Sequence, residues 1–337
     1  MTSRGKIALG ACVSLITICA GTSLGSSLIS PGDTLRVILL KAFSLPPRAA
    51  LDPKIIPIVW NLRFPRALLA FLAGGALSVS GAVFQSVLKN QLASPYILGV
   101  SAGASLGSGL IILTGFTLPL LGGFTLPAAG FIAGLLTIFF VLGFSSRLDG
   151  GFSNNTIILF GMVFSLFINA LLTTLAALYR EEMRTLLYWQ MGSFALKGWS
   201  YVGLLLPFLL LGFLGLSRYV REMDILTFGE DEALSLGVDA PRVRKRLLAA
   251  SAVLTGGVAA LSGAIGFVDL IAPHLARRIV GSRHQYVLPM SFITGGTLLV
   301  LTDLAARTVV SPSELPVGAV TAIIGAPFFA WAYFRKR

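Results

Sequence analysis

Residues 218 to 246 read RYVREMDILTFGEDEALSLGVDAPRVRKR, the longest polar interval in the chain, set between two long apolar runs. The stretch mixes Glu222, Asp224, Glu230, Asp231, Glu232 and Asp239 with Arg221, Arg242, Arg244, Lys245 and Arg246, and it keeps Leu234, Leu236 and Val238 among them. Periodicity alone fits either a solvated loop or a short amphipathic helix over Glu230 to Leu236. For the helix, acids in the first turn suit the positive end of the dipole and Gly237 offers a C-terminal stop. The flanks decide what kind of protein carries such a segment.

Of the 337 residues, 55% are hydrophobic and only 12% charged, with a mean hydropathy of +0.86. No soluble domain of this size needs so much apolar surface, so the chain reads as an all-α polytopic membrane protein forming one transmembrane domain over 1–337. At about 20 residues per crossing, ten spans fit, at roughly 7–28, 64–88, 98–116, 124–146, 154–178, 199–217, 246–265, 267–281, 287–307 and 315–334. The eighth is short for a full crossing. The first resembles a signal peptide, with Arg4 and Lys6 ahead of an apolar core; its removal would leave nine spans and put the termini on opposite sides.

With ten spans both termini share a side. That side holds Arg4, Lys89, Arg147, the 218–246 run, Arg277, Arg278, Arg283 and Arg335 to Arg337, most of the 26 lysines and arginines, and is cytoplasmic by the positive-inside rule. The net charge of +12 therefore reports topology and lipid, not nucleic acid. The opposite side carries 29–62, whose Pro31, Pro46, Pro47, Pro53 and Pro57 argue against a continuous spanning helix, and 179–197, where Trp189 and Trp199 sit as interfacial aromatics. Small residues such as Gly74, Gly75, Gly81, Gly256, Gly295 and Gly296 let spans approach closely in lipid. A weak internal echo relates Arg63 to Leu69, leading to Ser80-Gly81-Ala82, to Val243 to Leu248, leading to Ser262-Gly263-Ala264. Five spans separate the copies, so they would be inverted, as in transporters.

No G-x-x-x-x-G-K-S/T occurs, so the chain has no nucleotide site of this kind. Nor does it contain a Ser/His/Asp or Cys/His constellation. Cys12 and Cys19 lie in the first apolar run, a setting that argues against a disulfide or metal framework. With only His274 and His284, both read as structural, a His-ligated metal centre is not indicated. Asp269 and Asp303 are the acids in apolar surroundings, and an intramembrane carboxylate is costly enough to be a functional candidate. Asp303 stands at helical i, i+4 spacing from Arg307 and can pair with it. For Asp269 three roles stay open: facing a water-filled cavity, binding a proton or cation, or reaching Arg277 or Arg278.

Taken together, RFPRALLAFLAGGALSVSGAVFQSVLKNQLASPYILGVSAGASLG (63–107), YWQMGSF (188–194), LTFGEDEALSLGV (226–238), GAIGFVDLIAPHLARRIVGSRHQYVLPMSF (263–292), TDLAAR (302–307) and ELPVGAVTAIIGAPFF (314–329) resemble the permease family of type II ABC importers for iron-siderophores, haem and cobalamin. The resemblance runs through nearly the whole chain after residue 30 and is specific for the family, not for the cargo.

It implies a ten-span subunit of a bacterial inner membrane that pairs with a second copy of itself. Two cytoplasmic ABC ATPase subunits would bind ATP and Mg, so this chain needs no cofactor or metal, and a periplasmic binding protein would dock above. Within 226–240, Leu226, Gly229, Glu230, Ala233, Leu234, Leu236, Gly237 and Val238 match the family's ATPase-coupling pattern, with Phe228 in place of the common leucine. Arg63, Arg66 and Arg307 match arginines at the periplasmic mouth that meet acids of the binding protein; the alternative is snorkelling to the interface. Ser153, Asn154, Asn155 and Thr156 match the position of a cytoplasmic gate, although they also suit an ordinary helix start. Two departures are Gln91 where the family has proline and Asp269 where it has glycine. The competing class is an ion-coupled secondary transporter using Asp269 and Asp303.

Overall fold

A computed structural model describes residues 2–25, 27–44, 52–148 and 153–334, and every regular element among them is helical. In chain order the helices are α1 (Ser3–Ser23), α2 (Pro31–Ala42), α3 (Ile55–Val87), α4 (Val100–Thr114), α5 (Thr125–Leu148), α6 (Asn154–Leu178), α7 (Arg180–Gln190), α8 (Trp199–Ser217), α9 (Val220–Leu226), α10 (Glu230–Ser235), α11 (Ala240–Ser262), α12 (Val268–Val280), α13 (His284–Thr308) and α14 (Val317–Phe334). Ten of them overlap the ranges predicted as spans, with shifted bounds. Six, α1, α3, α5, α6, α8 and α13, are long and apolar enough to cross a membrane on length and composition; α4 and α14 are apolar but shorter.

The second span begins earlier than the apolar pattern indicates, at Ile55 rather than residue 64, because Pro57 falls in the first turn of the helix, where its missing N–H breaks no intrahelical bond. Wide π-type turns over Ile58–Arg63 join it to the α-helix proper. There Phe64 N–H reaches back to Val59 O. In that register Trp60 O faces Pro65, which has no N–H, and the indole N–H of Trp199 fills the place at 2.8 Å. The 29–62 segment thus holds α2 and the first turns of α3; Pro46 and Pro47 lie outside the described residues.

α3 is the axis of the bundle, with most of its residues buried. Its neighbours come so close that glycine is required: a Cβ on Gly74 would lie 2.2 Å from Gly295 O on α13. Where apolar burial gives no drive, such backbone contact and interhelical hydrogen bonds hold helices together. Ser80 Oγ donates to Ser251 O on α11 at 2.9 Å, and Ser80 Oγ and Thr255 Oγ1 are 2.8 Å apart. α3 and α11, the two halves of the internal echo, run in opposite directions across this contact. α1 is bound to α13 by Ser14 Oγ and Thr297 Oγ1 at 2.9 Å.

The short eighth span is explained by its entry. α11 ends at Ser262, residues 263–267 pass inward without helical structure, and α12 starts at Val268 against Gly81 of α3. Ile265 is fully buried there, as non-helical backbone at membrane depth must be.

Candidate functional site: the two ends of the bundle

At one end the chain leaves α8 and forms α9 and α10. α10 stops in a Schellman cap, with Val238 N–H on Ala233 O at 2.8 Å, Gly237 N–H on Leu234 O at 2.9 Å, and Gly237 at φ +78°. The predicted amphipathic helix is therefore present as Glu230–Ser235. Its motif divides by exposure. Leu226, Ala233 and Val238 are buried, whereas Phe228, Leu234 and Leu236 are 76%, 71% and 64% exposed. Glu230 is half exposed and accepts from the buried guanidinium of Arg244 on α11. Asp239 caps α11 by accepting from Arg242 N–H at 3.0 Å.

The same end is wired into the bundle through side-chain partners that sequence reading did not pair. Asp224 on α9 accepts from the backbone N–H of His284 at 3.0 Å and from its ring Nδ1 at 2.5 Å. With Nδ1 donating to a carboxylate, Nε2 is left to accept the Ser86 hydroxyl at 2.6 Å. Ser86 in turn accepts from Arg277, which also donates to Gln85 and to Ala82 O. Gln85 Nε2 donates to Asp269 O at 3.2 Å. The Asp269 carboxylate itself, 1% exposed, accepts from Ser94 Oγ in the α3–α4 connection rather than from Arg277 or Arg278.

At the predicted gate, Ser153 is the N-cap of α6, accepting from Thr156 N–H at 3.3 Å. Asn154 and Thr156 are partly buried, and Asn155 is exposed.

The opposite end opens into a cleft of about 420 Å³ lined by Arg63, Arg66, Leu196, Lys197, Arg307 and Glu314 among others. Arg66 is its hinge. Nε and Nη2 donate to Asp303 at 3.0 and 2.9 Å, while Nη1 and Nη2 donate to Glu314 at 2.8 and 2.9 Å. Arg63 donates to Ser23 O at 2.9 Å and Ser27 O at 2.7 Å, and Arg307 donates to Gly21 O. Two of the three predicted docking arginines thus cap the C-terminal carbonyls of α1, where cations are favoured. Arg307 lies 3.7 Å from Asp303, the pairing expected from spacing, but Arg66 is the nearer partner.

Lys197 donates to Ser193 O at 2.6 Å and to Leu261 O at the C-terminus of α11. Desolvation and then the Arg66 charge push its ammonium down to about 8. The cost to folding is present in full below pH 8 and disappears as pH approaches the ordinary lysine value of about 10.4. Glu314 behaves oppositely: its hydrogen bond from Arg66 holds its carboxyl below the usual range. That contribution is present above about pH 4.3 and lost as pH falls through the lowered value. With Lys197 protonated, four bases face Asp303 and Glu314, leaving the cleft two positive charges in excess.

A basic cleft and a capped helix flanked by exposed apolar side chains stand at opposite ends of one small-residue bundle. The model of the FecCD transport family matches residues 13–335. The chain belongs to the FecCD transport family. Among its FecCD relatives, the ABC transporter permease protein YvrB of Bacillus subtilis, itself uncharacterised, is 41% identical over 95% of this chain and 91% of its own. The cobalamin import system permease protein BtuC of Halobacterium salinarum is 38% identical over 81% of this chain and 72% of its own. A solved metal-chelate type ABC transporter in an inward-facing conformation superposes with a TM-score of 0.85 at 30% identity, covering 98% of both chains. This FecCD protein is an ABC-type permease and a multi-pass membrane protein. Arg244, Asp224, His284, Ser94 and Glu314 had no local signal, since their partners lie 14 to 248 residues away.

Proposed function

We propose that the chain is the membrane subunit of an ATP-driven importer, working as a homodimer in a cytoplasmic membrane and carrying a metal chelate inward by alternating access. The ordering of cargoes is ferric siderophore first, then cobalamin and haem. Support for the class comes from a cobalamin permease relative and a metal-chelate transporter neighbour. In this reading the α10 end and both termini are cytoplasmic and the cleft faces a binding protein outside.

The observation that carries the proposal is the α10 tip. Three large apolar side chains, Phe228 just before the six-residue α10, Leu234 within it and Leu236 at its C-cap, stand exposed around a helix tied to α11 by the Glu230–Arg244 pair. A helix this short is not stable alone, so its rigid presentation points to a partner that takes the leucines into a cleft. That partner is an ABC ATPase subunit, which binds ATP and Mg on its own side; the permease needs no cofactor. The Asp224–His284 contact links the push to α13 and, through Ser86, to α3. At the base of α6, Ser153 to Thr156 supply small polar side chains suited to closing a path without holding cargo.

Replacing 230–236 by a Gly/Ser linker is expected to abolish both co-purification of the ATPase and uptake in vesicles; unchanged uptake would sink the docking reading. A cysteine placed at Leu234 should be labelled only from the cytoplasmic side. An ion-coupled carrier is disfavoured at Asp303, which is already held by Arg66 and Arg307. It predicts gradient-driven uptake by this chain alone, indifferent to nucleotide. Native mass spectrometry of the cognate binding protein identifies the cargo.

A further inference from the structure

The connection from α7 to α8, residues 191–198, is held by hydrogen bonds along its length yet displays Leu196 almost wholly to solvent, well beyond the half-exposed Met191. Ser193 N–H binds Ser262 O at 2.9 Å, Val317 N–H binds Gly192 O and Gly318 N–H binds Met191 O, both at 3.1 Å. Phe194 is fully buried. Lys197 ties the far side to Ser193 O and Leu261 O. In the middle of this frame Leu196 is 94% exposed and sits at φ +56°, a left-handed conformation that side-chain-bearing residues avoid. Exposed leucine gains nothing from water, and strained backbone persists only where the surroundings impose it. Leu196 lines the basic cleft, as does Leu62, 56% exposed.

We propose that Leu196 is the apolar anchor of the binding-protein interface, entering a hydrophobic recess on a partner whose adjacent carboxylate is drawn to the cleft. The inference rests on the docking reading above and deepens it. Charge complementarity selects the partner: two positive charges in excess within the cleft attract an acidic surface, and Leu196 and Leu62 supply the apolar contact beside it. The division of labour is physical. Arg66 is engaged by Asp303 and Glu314, Arg63 by Ser23 O and Ser27 O, and Arg307 by Gly21 O and the Asp303 charge, so they set the field that steers encounter, while a preorganised leucine, buried on contact, supplies lifetime.

The test uses Leu196→Asn in the full transporter reconstituted in nanodiscs. Asparagine tolerates the left-handed backbone, so the loop is retained while the apolar surface is lost. Binding of the purified cognate binding protein is followed by interferometry, with ATPase co-purification as the control for assembly. The expected result is at least tenfold weaker binding, carried by faster dissociation, since burying a leucine is worth an order of magnitude or more in affinity. Wild-type affinity for Leu196→Asn overturns the inference and leaves the docking reading standing. No binding of that protein to the wild-type complex overturns the docking reading itself. As a second measurement, Leu196→Cys should be labelled by a polar maleimide in the free transporter and protected when the binding protein is added. Equal labelling in both states, or lipid quenching of a bimane at 196, counts against the anchor.

Discussion

Arg66→Ala is expected to destabilise the permease by about 3–5 kcal/mol, the cost of stripping one partner from a buried charge pair. The Asp303 side chain is 3% exposed and accepts from Nε and Nη2 of Arg66. Without Arg66 its nearest base is Arg307 at 3.7 Å, which is itself turned toward Gly21 O. Glu314, 40% exposed, rehydrates at little cost, so the loss comes from Asp303. Heating in detergent is irreversible for many such proteins, so the readout is the shift in the temperature at which half the monodisperse species remains. Arg36→Ala provides the reference, because Arg36 is 65% exposed in its pair with Asp33 and should shift nothing measurable. A double variant, Arg66→Ala with Asp303→Asn, removes both charges and should recover much of the loss, since the penalty belongs to the unpaired carboxylate. Equal shifts for Arg66→Ala and Arg36→Ala would show that Asp303 is not dependent on Arg66.

The long apolar spans were legible because lipid imposes a length and a composition that any sequence must display. The α10 cap was legible for a local reason: Gly237 and the acids of its first turn lie within one short window. What escaped was whatever depends on contacts remote in sequence. Asp303 was matched to Arg307 from i, i+4 spacing, yet its stronger partner, Arg66, lies 237 residues away. Asp269 was left with three roles because Ser94, 175 residues distant, gives no periodic signal. Arg63 and Arg307 match the family pattern, but pattern does not say which way a guanidinium points, and theirs point to α1. Pro57 was read as a breaker, although its fixed φ and missing N–H are equally suited to the first turn of a helix, which is where it stands ahead of Arg63. α7 was missed because its buried face rests on only Met183 and Leu186.

Gly81→Ala is expected to be among the most damaging single-methyl changes at the described glycines. A Cβ at this position would lie 1.9 Å from Asp269 O and 2.6 Å from Asp269 C, backbone atoms that no rotamer change can move aside. α12 would have to shift as a body, and it is held at both ends: Asp269 accepts from Ser94 and Gln85, and Arg277 is bound to Gln85 and Ala82 O. Overpacking in a close-packed interior costs about 1–3 kcal/mol, occasionally more, and a backbone obstacle with no compliant side chain belongs at the upper end. Gly143→Ala is the matched control. Gly143 lies inside α5 with nothing within 4 Å of the added carbon, so alanine should stabilise it by up to about 1 kcal/mol through helix propensity. The two variants add the same atom to the same kind of element, so opposite signs in the thermal shift isolate the α3–α12 contact from any general effect of alanine in lipid. Because α12 starts where the inward-running 263–267 segment ends, a displaced α12 should also free Ser94, and Ser94→Cys should gain reactivity in the Gly81→Ala background. A stable Gly81→Ala protein with Ser94→Cys still protected would mean that α3 and α12 do not pack this closely in the membrane.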